Sequence, residues 1–183
     1  MLVKLIIAKG AHHWNWGLGN ACKGGQLAIA ELMIMKGAND YGLYSACLGG
    51  HLELVKLMIN KGATKWNGGL YGACYGGHKE LARLMISKGA DDLDGSLYTA
   101  CRSNHLVLAE LLVMKGAPIS GTCLYYACKH NNLKLIELLT TYYKGHWNSG
   151  LEGACTGGHN NLIKLMIDKG ATSCYRDKSI SSH

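Results

Sequence analysis

Phenylalanine is absent from this chain of 183 residues, and proline occurs once. A mixture of unrelated structural elements rarely does without both, so the omission points to one small unit copied many times. Charge is scarce too. Asp, Glu, Lys and Arg make up 17% of the chain against 48% hydrophobic residues, which excludes a disordered, self-repelling chain and leaves enough apolar side chain for a core. Long apolar runs are also missing: lysine or glycine interrupts each within about ten residues, half of what a membrane-spanning helix needs. The opening Met1-Leu-Val-Lys-Leu-Ile-Ile-Ala-Lys-Gly10 has no small-residue cleavage pattern and is not read as a secretory signal. Eight cysteines in such a chain are expected to be free thiols in a reducing, cytoplasmic setting.

What is present is a period. Ala-Cys pairs end at Cys22, Cys47, Cys74, Cys101, Cys128 and Cys155, in steps of 25, 27, 27, 27 and 27 residues. Lys-Gly pairs recur out of phase with them, beginning at Lys9, Lys36, Lys61, Lys88, Lys115, Lys144 and Lys169. Residues 1–11 match only the second half of a unit. The array is therefore expected to cover residues 1–171, as a half-unit (1–11) and six full units, with residues 172–183 as a polar tail.

Each unit predicts two helices. In the third unit the first is expected from about Leu70 to Tyr75 and the second from about His78 to Lys88, with Leu81, Leu84 and Met85 at helical spacing. Neither is long enough to stand alone, so neighbouring units must bury each other's faces. Between the helices the six units carry Gly25, Gly50, Gly77, Asn104, Asn131 and Gly158, the two residue types that tolerate a left-handed helix stop. The second helices are expected to stop at Gly37, Gly62, Gly89, Gly116, Gly145 and Gly170. The pattern predicts an all-α helix-turn-helix solenoid.

Leu97-Tyr-Thr-Ala-Cys101, Gly77-His78, Leu52-Glu-Leu-Val55 and the recurring Lys-Gly-Ala resemble, in order, the motifs of the ankyrin-repeat family. That family's unit has 33 residues, and the residues missing here fall where it builds its projecting finger, so a tight loop is expected there. The shortened unit is similar to arrays encoded by giant DNA viruses of protists. The resemblance implies a non-catalytic scaffold for protein–protein interaction. It also places contact residues just after the Ala-Cys pair, at Lys23, Leu48, Tyr75, Arg102, Lys129 and Thr156. Variation at this position inside a nearly fixed frame suits a recognising surface. Trp66 and Tyr126 complete the candidate set, while Trp14, Trp16, Trp147 and Tyr41 are expected in loops, as is the acidic Asp91-Asp92-Leu93-Asp94.

The same residues fit other chemistries less well. Cys-x-x-x-His recurs as Cys47/His51, Cys74/His78, Cys101/His105 and Cys155/His159, but each unit offers two zinc ligands where a structural site needs four. A buried Cys and a His that satisfies backbone groups at the turn account for the pair, and no metal or cofactor is expected. Ladder cysteines one repeat apart are too distant for disulfides; Cys123 and Cys174, off the ladder, are the expected reactive thiols. A nucleophile copied six times into a structural stripe does not fit catalysis. The net charge of +7 is matched by seven lysines expected in the last turns of second helices, opposite the negative end of the helix dipole. A surface for nucleic acid or another anionic partner is the alternative. Apolar residues at both ends of the array, Leu2 to Ile7 and Leu162 to Ile167, suggest end-to-end self-association.

Overall fold

In the computed structural model, which describes residues 13–38 and 42–173, the described residues form twelve helices and no strand. The half-unit 1–11, Tyr41, Cys174 and the remaining tail lie outside them. The chain divides into two compact units, residues 1–92 and 93–183. The first holds α1 (Trp14–Lys23), α2 (Leu27–Met35), α3 (Gly42–Gly49), α4 (Leu52–Asn60), α5 (Trp66–Gly76) and α6 (Lys79–Ser87). The second holds α7 (Leu93–Arg102), α8 (Leu106–Met114), α9 (Gly121–Lys129), α10 (Leu133–Tyr142), α11 (Trp147–Gly157) and α12 (Asn160–Asp168). Odd-numbered helices are the first helices of repeats one to six, and even-numbered helices the second.

The stops between paired helices fall where expected. Asn104 and Asn131 take φ of 61° and 54°, and the four glycines at that position are left-handed as well. Gly37, Gly62, Gly89, Gly116 and Gly170 end second helices in the same way, but Gly145 does not. In repeat five α10 runs to Tyr142, an extended Tyr143 follows, and the positive φ moves to His146, whose ring stacks on Tyr143 at 4.9 Å. Lys36, Lys61, Lys88, Lys115 and Lys169 are the C-cap residues, one position past the last turn where they were expected. They still lie at the negative end of each dipole.

The first helices begin earlier than the sequence suggested. Trp14, Trp66 and Trp147 open α1, α5 and α11 as half-buried residues and exposed Trp16 lies in the first turn of α1, so none of the four is the loop residue it was expected to be. The asparagines after Trp66 and Trp147 each tie down the loop that ends their repeat. Asn67 Oδ1 accepts the N–H groups of Asp91 and Asp92 at 2.9 and 3.1 Å, and its Nδ2 donates to Asp91 at 2.9 Å. The Tyr71 hydroxyl donates to the Asp92 carboxylate. The acidic loop is thus tied to the preceding first helix, and Asp94 already lies in the first turn of α7. Asn148 repeats the arrangement in the second unit, accepting from Thr172 at 2.8 Å.

Packing follows a register of small against long residues. Gly17, Gly42, Gly69 and Gly150 face Met33, Met58, Met85 and Met166 so closely that a Cβ would overlap the sulfur. In repeats four and five the same two positions hold Ser96 with Leu112 and Cys123 with Leu139, all buried. Where the first position has no side chain the second takes the long flexible thioether, and where it has a small one the second takes the more compact leucine. Cys123 is thereby a core residue, fully buried rather than open to reagents. First helices also approach more closely than second helices. A Cβ on Gly72 would overlap the Tyr44 carbonyl, and one on Gly153 the Tyr125 carbonyl.

Candidate functional site

The row expected to make contacts lies at the C-terminal ends of the first helices. Lys23, Tyr75, Arg102 and Thr156 are exposed, and Leu48 and Lys129 half-buried. Tyr75, the row's one tyrosine, is 52% exposed. The Thr156 hydroxyl turns back onto its own helix, donating to the Glu152 carbonyl at 2.8 Å. Trp66 packs beside Gly89 at the opposite end of α5, away from Tyr75.

The backbone of this row is itself a joint between repeats. His51 Nε2 donates to the Lys23 carbonyl at 3.1 Å, His78 to that of Leu48 at 3.1 Å, and His159 to that of Lys129 at 3.0 Å. These histidines are N-cap residues whose side chains make no cap bond, so the ring serves the preceding repeat rather than its own turn. The glycine two places earlier (Gly49, Gly76 or Gly157) lets the same carbonyl come close, since a Cβ there would collide with both carbonyl and ring. Repeat five solves the problem differently. Asn132 stands where repeats two, three, four and six have histidine and caps its own helix, accepting from Leu135 N at 3.0 Å. His130, two residues earlier, reaches the Arg102 carbonyl at 2.9 Å in its place.

Two groupings emerge, one in each unit. In the first, Lys23 and Leu48 lie on an open cleft of about 670 Å³ with Trp14, Trp16, Asn20, Tyr44 and Ser45. Trp16 is 77% exposed at its mouth. In the second, Arg102, Tyr126 and Lys129 come together with Tyr98, Tyr125 and His130. Tyr126 meets Tyr98 and Tyr125 edge-on, with centroids 5.7 and 5.1 Å apart, and stacks on His130 at 6.2 Å. Lys129 Nζ stands 5.9 Å from the centroids of both Tyr125 and Tyr126, within cation–π range. A hydrogen bond with Tyr98 and then burial raise the Tyr126 hydroxyl above its ordinary pKa of 10.0. Among the described residues neither Arg102 nor Lys129 is in an ion pair.

Sequence reasoning missed Tyr44, Tyr98 and Tyr125. The Leu-Tyr pair repeated at Leu43, Leu70, Leu97 and Leu124 was the available signal. The ladder thiols of Cys22, Cys47, Cys74 and Cys128 are buried, and burial raises them to about 11, 12, 12 and 12. Cys123 departs from that pattern. A hydrogen bond from Cys101 and others from Ser120 hold it down, against burial, at about 7.

A family model described as "Ankyrin repeats (3 copies)" matches residues 2–94. No curated protein matches the sequence. Among solved structures, the crystal structure of the human ASB11 ankyrin repeat domain is similar in fold, with a TM-score of 0.63 and 22% identity over 85% of this chain and 84% of that one.

Proposed function

The chain belongs to the ankyrin-repeat family, and from that premise we propose that it is a non-catalytic scaffold that binds a protein partner through the C-terminal ends of its first helices. The observation that carries this reading is the row itself. The carbonyls of Lys23, Leu48, Arg102 and Lys129 are each held by a histidine, while the side chains of the row vary from Lys23 to Thr156 and stand exposed or half-buried. A fixed frame presenting variable side chains is what recognition requires, and Tyr75 and Arg102 are residue types that concentrate binding energy. We further propose that residues 1–171 form one array with a polar tail. The buried thiols suit a reducing compartment, and a viral origin, suggested by the shortened unit, would make that compartment the host cytoplasm. Among the described residues no helix is long and apolar enough to cross a membrane.

The test is capture of partners from extracts of the source cell, followed by calorimetry on the purified pair. Tyr75→Ala or Arg102→Ala should cost more than about 1 kcal/mol of affinity with the helical signal unchanged. If neither matters, nor Lys23→Ala nor Thr156→Ala, the face is wrong. The exposed C-cap lysines support the second reading, an anionic partner such as nucleic acid. Affinity should then fall by roughly one logarithmic unit per decade of salt for each phosphate neutralised, and a tight complex at physiological salt would favour it. Exposed Leu165 and Ile167 on α12 motivate end-to-end association, which light scattering over a range of concentrations would reveal.

A further inference from the structure

We propose that the C-terminal ends of α7 and α9 recognise an acidic side chain of the protein partner, its carboxylate held between Arg102 and Lys129. The proposal rests on the scaffold reading and adds the chemistry of the partner. Both cations end first helices, and their backbones are drawn together because His130, the residue after Lys129, hydrogen-bonds the Arg102 carbonyl at 2.9 Å. Lys129 is not left to wander. Its ammonium stands 5.9 Å from two tyrosine centroids, and those rings are themselves fixed edge-on against each other. A cation placed in advance loses less conformational freedom when it binds an anion. Neither cation has a carboxylate partner among the described residues.

The same geometry argues against a nucleic acid as occupant. Bases stack on open aromatic faces, whereas Tyr126 has Tyr98 and Tyr125 edge-on and His130 against its face. Two adjacent cations also suit one carboxylate better than a phosphate track.

The experiment titrates labelled full chain with hexaglutamate, hexaglutamine and oligothymidylate, following affinity by fluorescence polarisation and the tyrosine ring signals by NMR. Hexaglutamate should bind and shift the Tyr98 and Tyr126 rings; hexaglutamine should do neither. The double variant Arg102→Gln/Lys129→Gln should weaken hexaglutamate at least tenfold, while Lys36→Gln/Lys61→Gln, which removes the same charge elsewhere, should leave it within twofold. Equal weakening by the two double variants, no ring shifts at millimolar hexaglutamate, or tighter binding of oligothymidylate at physiological salt would each overturn the proposal. A captured partner that requires Tyr75 but ignores Arg102→Gln/Lys129→Gln would overturn it too, yet leave the scaffold reading standing.

Discussion

Within the second unit two seams join neighbouring first helices, and they are built on opposite principles. Between α9 and α11, Gly153 sets backbone against the Tyr125 carbonyl, and the helices lie together along much of their length. Between α7 and α9 the residue in the equivalent place is Tyr126, and the helices touch along less of it. Both seams keep the histidine contact, His159 to Lys129 in one and His130 to Arg102 in the other. The difference teaches that the joint and the surface can be separated. A seam filled by glycine does nothing but hold, whereas the seam filled by tyrosine holds and also displays an aromatic cluster with two cations beside it.

The most direct way to break the comparison is to exchange the fillers. Gly153→Tyr puts a ring where backbone already stands, and should cost about 3 kcal/mol or more in urea unfolding, beyond most overpacking changes. A loss as small as that of an ordinary surface change would mean that the glycine seam is not tight. Next comes the register of small against long residues. Gly69→Cys should cost about 2 kcal/mol, and Gly69→Cys with Met85→Leu, copying repeat five, should recover most of it in a double-mutant cycle.

A smaller effect sharpens the contrast between thiols. Cys47 and Cys74 are raised to about 12 from an ordinary 9.0. Their contribution to stability is therefore complete below pH 9 and is lost as pH rises toward 12, by up to about 1.4 kcal/mol per pH unit for each thiol. Cys123, held at about 7, has the opposite sign: its contribution is complete above pH 9 and is lost as pH falls through 7. Melting curves should show Cys47→Ala flattening the decline above pH 9, and Cys123→Ser flattening the rise between pH 7 and 9. Equal slopes in parent and variants would remove the thiols from the account. Smallest is the histidine joint. His130→Ala and His159→Ala should each cost about 1 kcal/mol, and a clearly larger loss at one would show that the two seams do not share the contact.

Much of the fold was legible because the signals were local. Gly and Asn at the stops name a backbone conformation directly, and Asn104 and Asn131 adopt it. The starts of the first helices were not legible, since Trp66-Asn67-Gly68-Gly69 reads as loop by propensity and becomes helix through Asn67 and its bonds to the next loop. The partner of His51 was hidden for a similar reason. Its ring turns to a carbonyl 28 residues back, and nothing in the adjacent sequence fixes that direction. The row of residues that follows each Ala-Cys pair was readable from the period, and its place at the ends of the first helices followed from it. The gathering of Arg102, Lys129 and Tyr126 around Tyr98 and Tyr125 was not, because the effect of Tyr126 depends on what the neighbouring helix sets opposite it.

Each histidine contact ends on a main-chain carbonyl, a group that every residue possesses. The joint therefore places no demand on which amino acid occupies the position after the Ala-Cys pair, and Lys23, Leu48, Arg102 and Lys129 all serve equally as acceptors. A repeat that carries the histidine brings its own donor and needs only a main-chain carbonyl on the repeat before it. Side-chain content along the row is therefore left unconstrained by the joint, which asks only for the histidine ring and a main-chain carbonyl.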